Sequence, residues 1–214
     1  MSEFPEKFIG LRIPAATHYL DYAIEAYPDA KVLFTLRDPR DVVTSMRKLR
    51  MEPFGHGQNT SWIETIAQVQ IENALPLLPD RERLEATLHS IRQTAADRND
   101  VRFGGLCWMV KNRFIELYQR SVLKTEIVRY ELLTGNSEQY IRQLCDFLDL
   151  EWSDRLLEHH KYSSGMWAGT NKGEEIHQRS VGAHKHYLTL EERRSLYSVI
   201  QVDMEALGYS EQFD

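Results

Sequence analysis

The chain has 214 residues, 42% of them apolar and 27% charged, with a formal net charge of −6. That balance suits one soluble domain with a sizeable core and excludes intrinsic disorder and collagen-like repetition. Twenty-six basic residues against 32 acidic ones argue against nucleic acid as the main partner, and no run nears the ~20 apolar residues of a membrane span.

The opening, Met1-Ser2-Glu3-Phe4-Pro5-Glu6-Lys7, has neither the basic nor the apolar region of a signal peptide, so a cytoplasmic location is expected. Residues 7–12 (KFIGLR) form a short apolar run closed by Pro14, and residues 15–27 place Leu20, Ala23, Ile24 and Tyr27 at helical spacing. Residues 31–36 (KVLFTL) read as a strand covered on both faces in a parallel sheet. A helix is predicted over 39–49, a loop rich in Gly, His and Asn over 52–60, and a helix over 61–75. After Pro76 and Pro79 comes a charged helix from about 80 to 96.

The helix predicted over 103–122 carries Leu106, Val110, Phe114, Leu117 and Tyr118 on one face. Residues 125–130 (TEIVRY) are the next strand, and 138–148 a helix with Ile141, Leu144, Cys145 and Leu148 inward. Residues 163–182, with four glycines, read as a loop, and 189–207 as a last helix with Leu196, Ile200, Met204 and Leu207 in register. Cys107 and Cys145 stand far apart on apolar helical faces and read as buried free thiols. Strands alternating with helices imply an α/β fold, a parallel sheet flanked by helices, in a single domain over 1–214.

Chemistry concentrates in Leu36-Arg37-Asp38-Pro39-Arg40-Asp41-Val42-Val43-Thr44-Ser45. Arg37 follows the strand's carboxyl end, where open α/β sheets bind ligands. Asp38 suits the N-cap, Pro39 the first helical position, and Asp41 the positive end of the helix dipole. Ser45, nearly two turns after the cap, shares an azimuth with Asp38. Two readings follow from the pattern. An Arg fork plus a hydroxyl can clamp a phosphate beside the helix N-terminus, or Arg37 pairs with Asp41 and Ser45 is a satisfied helix hydroxyl.

Arg37-Asp38-Pro39-Arg40-Asp41 followed by Ser45 resembles the 3′-phosphate-binding motif of sulfotransferases that use 3′-phosphoadenosine 5′-phosphosulfate (PAPS). The resemblance implies that Arg37 and Ser45 hold the nucleotide's 3′-phosphate. Trp108, followed by Ile127-Val128-Arg129-Tyr130-Glu131-Leu132-Leu133, resembles the family's v-x-Y-E-d-L strand end and implies Tyr130 as an adenine contact. Phe147-Leu148-Asp149-Leu150 is similar to the family's FLGL. Val181-Gly182-Ala183-His184-Lys185-His186-Tyr187-Leu188-Thr189 resembles the vG-x-W-[KR]-x-x-L-[ST] segment that covers the nucleotide, within a covering loop at about 163–188. Leu207-Gly208-Tyr209 matches the LGY ending. The resemblance runs from about Lys7 to Tyr209, fits the bacterial and carbohydrate-type branch, and implies a P-loop-NTPase-like sulfotransferase fold.

The family's N-terminal P-[KR]-[ST]-G-[TS]-[TS] loop, which cradles the 5′-phosphosulfate, has no counterpart. Phe54-Gly55-His56-Gly57-Gln58 lacks a Lys or Arg and follows no strand. The expected fold is therefore N-terminally truncated. Arg12 stands where the family's catalytic cation is expected, beside the transferring sulfonate. His18 is the nearest imidazole to serve as base, against the plain alternative of a half-buried helix histidine. His177-Gln178-Arg179 matches only partly the family's Arg-Lys-Gly. Arg179 and Lys185 are candidates for further phosphate contacts, with ordinary solvated cations as the alternative. His184 replaces the expected Trp, which weakens apolar closure of the covering segment. His159, His160, His177, His184 and His186 show no H-x-x-x-H pair, and sulfonate transfer requires no metal, so none is expected.

The implied reaction moves a sulfonate group from PAPS to a hydroxyl or amine, leaving adenosine 3′,5′-bisphosphate. The acceptor, a small molecule or carbohydrate, would sit at residues 51–62 and a helical insertion at about 61–98, with no nucleic acid or membrane partner. The alternative is a non-catalytic interaction module, or half of a split enzyme, joining a partner chain or a second copy through the sheet edge left by the missing element. A kinase-like transferase would need a Walker-type Lys and a magnesium-binding carboxylate, and neither stands in context.

Overall fold

The computed structural model describes residue 10 and residues 17–51, 63–162, 166–167, 170–171 and 173–210. The apolar run at 7–12 apart from Gly10, and so Arg12, and the loop at 52–60 lie outside those residues.

Among the described residues the chain opens with α1 (Leu20–Ala26), shorter than the helical spacing predicts. Tyr19 has non-helical dihedrals, and no α1 residue is fully buried, so little packing energy extends the helix. The apolar run Lys31–Leu36 forms β1, and Pro39–Met51 forms α2. Then follow α3 (Ile63–Ala74), α4 (Arg81–Thr94), α5 (Val101–Asn112) and α6 (Phe114–Arg120). Lys124–Arg129, β2, returns parallel to β1, with Lys31 opposite Lys124 and Leu36 opposite Arg129. A parallel pair needs a long crossover, which the five helices from α2 to α6 supply.

The single helix expected over 103–122 is two. Asn112 donates its side-chain amide to the Trp108 carbonyl at 2.7 Å, competing for the acceptor of the local helical ladder just before the break at Arg113. Asp100, not predicted as a cap, opens α5 by accepting from the Arg102 amide. Tyr130 is not the last strand residue but the first of α7 (Tyr130–Gly135).

After α7 come α8 (Ser137–Leu148) and the short α9 (His159–Tyr162). The stretch expected to be a loop pairs Met166–Trp167 (β3) antiparallel with Thr170–Asn171 (β4). It then passes through α10 (His184–Tyr187) into α11 (Leu190–Ala206). Thr189 and Glu192 cap α11 reciprocally, Glu192 N donating to Thr189 Oγ1 at 3.1 Å and Thr189 N to Glu192 Oε2 at 2.8 Å.

α5 is the hub of the core, packed by α2, α3, α4 and α11. Phe103, Leu106 and Val110 are wholly covered, as are Leu196, Ile200 and Met204 on α11. Gly104 and Gly105 set the spacing. A Cβ at Gly104 would stand 2.9 Å from Val43 Cγ2 of α2, and one at Gly105 only 2.4 Å from Leu196 Cδ1 of α11. Cys107 and Cys145 are buried free thiols, and burial pushes Cys107 up to about 11. No described helix is long and apolar enough to cross a membrane.

Candidate anion site at the rim of the sheet

The turn from β1 into α2 forms as its local chemistry dictates. Asp38 caps α2, its Oδ1 accepting from the Arg40 amide at 2.8 Å, and its carboxylate also takes the Arg40 guanidinium at 2.6 Å. Arg37 is thereby set at the strand's carboxyl end. Its Nη2 donates to the Ser180 carbonyl at 2.6 Å, and its guanidinium carbon lies 4.4 Å from the Tyr130 ring centroid. The guanidinium is thus held between α7 and the segment leading to α10, within cation–π range of an aromatic face. Its Nε is buried and has no hydrogen-bond partner among the described residues.

Arg37 does not pair with Asp41. That carboxylate, 1% exposed, accepts from the Gly182 amide at 2.8 Å, the His184 amide at 3.0 Å and His184 Nδ1 at 2.8 Å. Burial alone raises its carboxyl, but the hydrogen bonds from His184 and Gly182 outweigh that and hold it below its ordinary value. Gly182 has φ +73, a left-handed conformation that glycine reaches without penalty, and so presents its amide to Asp41. His184 is itself buried, with Nε2 unpartnered among the described residues.

Ser45 stands four residues after Asp41 and three before Lys48, on one stripe of α2. Asp41 touches Gly182 and His184, and the Lys48 ammonium lies 3.7 Å from the Tyr187 ring centroid. The half-buried Ser45 therefore lies on the stripe of α2 from which Asp41 and Lys48 reach the covering segment. The Arg37–Asp41 pair of the plain alternative is not formed.

Residues 3–81 match the sulfotransferase family. The stretch takes in β1, the Arg37 turn and all of α2 and α3, so the resemblance read from Arg37 to Ser45 is borne out on its own ground, and it indicates sulfonate transfer as the class of chemistry. No curated protein matches the chain.

The other candidates of the sulfotransferase reading are placed as follows. Tyr130 joins Arg37 directly. Arg179 is exposed and paired with Glu174, and Lys185 is exposed on α10. His18 is half-buried beside Tyr19, ring centroids 4.1 Å apart, and burial and the Lys111 charge lower its pKa. Arg12 lies outside the described residues.

The residues missed at the level of sequence are Trp108, Glu131 and His184 in their structural roles. Trp108 Nε1 donates to the Arg37 carbonyl at 2.9 Å, and Glu131 Oε1 accepts from the Asp38 amide at 2.8 Å. His184 closes the segment through a hydrogen bond where an apolar side chain was expected. A signal existed for the last of these: a carboxylate in the first turn after a buried strand has to find donors if it is covered.

Proposed function

We propose that the chain transfers a sulfonate group from PAPS to a hydroxyl or amine, Arg37 and Ser45 holding the 3′-phosphate of the donor. The supporting observation is the unmet Nε of Arg37. A carbonyl satisfies Nη2 alone, whereas a phosphate takes Nε and Nη2 together, each charge-assisted bond being worth about 1.5–3 kcal/mol. The residues present thus fit a terminal phosphate better than they fit the contact they now make. Tyr130, already against the guanidinium, offers its ring to an adenine. The N-terminus of α2 adds the positive end of its dipole. When bound, PAPS supplies the activated sulfonate; the residues of this chain anchor and orient it.

The test is thermal stabilisation by adenosine 3′,5′-bisphosphate. At a hundred times its dissociation constant a ligand adds about 2.7 kcal/mol, a shift of several degrees for a chain of this size. Arg37→Ala is expected to abolish most of it and Ser45→Ala a smaller part, while adenosine 5′-monophosphate gives little. No shift with wild-type protein at millimolar nucleotide overturns the reading.

A further inference from the structure

The Arg37–Asp38 peptide unit is gripped on both sides. Trp108 donates to its carbonyl and Glu131 accepts from its N–H, so an element on either side of the turn holds one end of a single planar group. Fixing both ends of a peptide plane fixes the direction in which the Arg37 side chain leaves the backbone. Glu131 is in turn held from the end of the fold. Tyr209 Oη donates to Glu131 Oε2 at 3.0 Å, and the Tyr209 ring meets Trp108 edge-on, centroids 6.5 Å apart.

Tyr209 is delivered by a designed turn. Gly208 has φ +81, and Arg129 at the end of β2 donates from Nη2 to the Leu207 carbonyl at 2.7 Å and lies 5.5 Å from the Tyr209 ring centroid. Burial first, then the charge and hydrogen bond of Glu131, push the Tyr209 hydroxyl well above its ordinary value, so it remains a donor at any working pH.

We infer that Tyr209, through Glu131 and together with Trp108, is a positioning residue that aims Arg37 at its anion. The inference rests on the proposed function for the identity of that anion, but the clamp itself is testable without it. The first measurement is hydrogen exchange of the Asp38 amide by nuclear magnetic resonance in the ligand-free chain. Glu131→Ala is expected to raise its rate tenfold or more, Tyr209→Phe by about three- to tenfold, the factor one hydrogen bond is worth. Glu131→Gln, which keeps an oxygen for the amide, is expected to retain most of the protection. An Asp38 rate in Glu131→Ala equal to that of wild type overturns the inference.

The second is titration with adenosine 3′,5′-bisphosphate. Tyr209→Phe should weaken binding several-fold in the wild-type background and leave an Arg37→Ala background unchanged. Equal weakening in both backgrounds means that Tyr209 does not act through Arg37, and overturns the inference. Wild-type protein that binds no nucleotide while the exchange result holds overturns the proposed function alone, leaving the clamp established.

Discussion

Asp41 shows how one buried carboxylate organises a site by accepting rather than by pairing with the nearest cation. Its three donors come from Gly182 and His184, more than 140 residues away in the chain. Asp41→Asn keeps the shape but sacrifices a charge-assisted set, and a loss of about 1–3 kcal/mol is expected in chemical denaturation. The pH dependence has a definite sign. A carboxyl lowered in the folded state stabilises above its unfolded value, 3.8, and that contribution drains away as pH falls through the lower folded value. The gap between wild type and Asp41→Asn should therefore stay level at neutral pH and narrow only below 3.8. The Arg37 turn was legible because a strand end, a cap, a proline and an acidic first turn are neighbours in sequence. The His184 contact was legible only as a need for donors at Asp41, because nothing local to Asp41 says which residue across that separation supplies them.

α5 is the element whose interior glycines have structural work. Its apolar spacing announced a helix, but spacing alone does not say which neighbours press against it, nor that Gly104 and Gly105 are the points of contact. Replacing a helical glycine by alanine ordinarily gains about 1 kcal/mol, whereas crowding a packed core costs about 1–3. At Gly105, with Leu196 Cδ1 at 2.4 Å and Ile200 Cγ2 at 3.0 Å from the new carbon, the second effect prevails. Gly105→Ala is expected to lower the denaturation midpoint slightly and Gly105→Val severely; a neutral Val variant would show that α11 can retreat. The split between α5 and α6 likewise escaped the pattern, since the Asn112 side chain competes with the helix on a scale finer than apolar periodicity.

Across the whole molecule, the parallel pairing of β1 and β2 followed from the composition of the two strands, whereas the described elements do not alternate strand by helix: five helices stand between β1 and β2. The knotting of distant segments around Arg37 did not follow from that composition. Residues 207–209, the last turn after α11, close on Arg129 and Glu131, beside the turn at 37–38. Removing residues 207–214 is expected to cost about 1–3 kcal/mol, seen as a fall of several degrees in the melting midpoint, and to reduce the nucleotide-induced shift more than Tyr209→Phe does. A truncated chain with wild-type melting and wild-type shift would contradict that coupling.

The attachment of the 180–184 stretch to α2 and to Arg37 is made largely by main-chain groups: one carbonyl and two amides, joined by a single imidazole. Anchorage of that kind is nearly blind to sequence. The outward side chains at Lys185 and His186 are thus released from any duty of adhesion, and the exposed surface beside the rim can be rewritten without unfastening the strap beneath it.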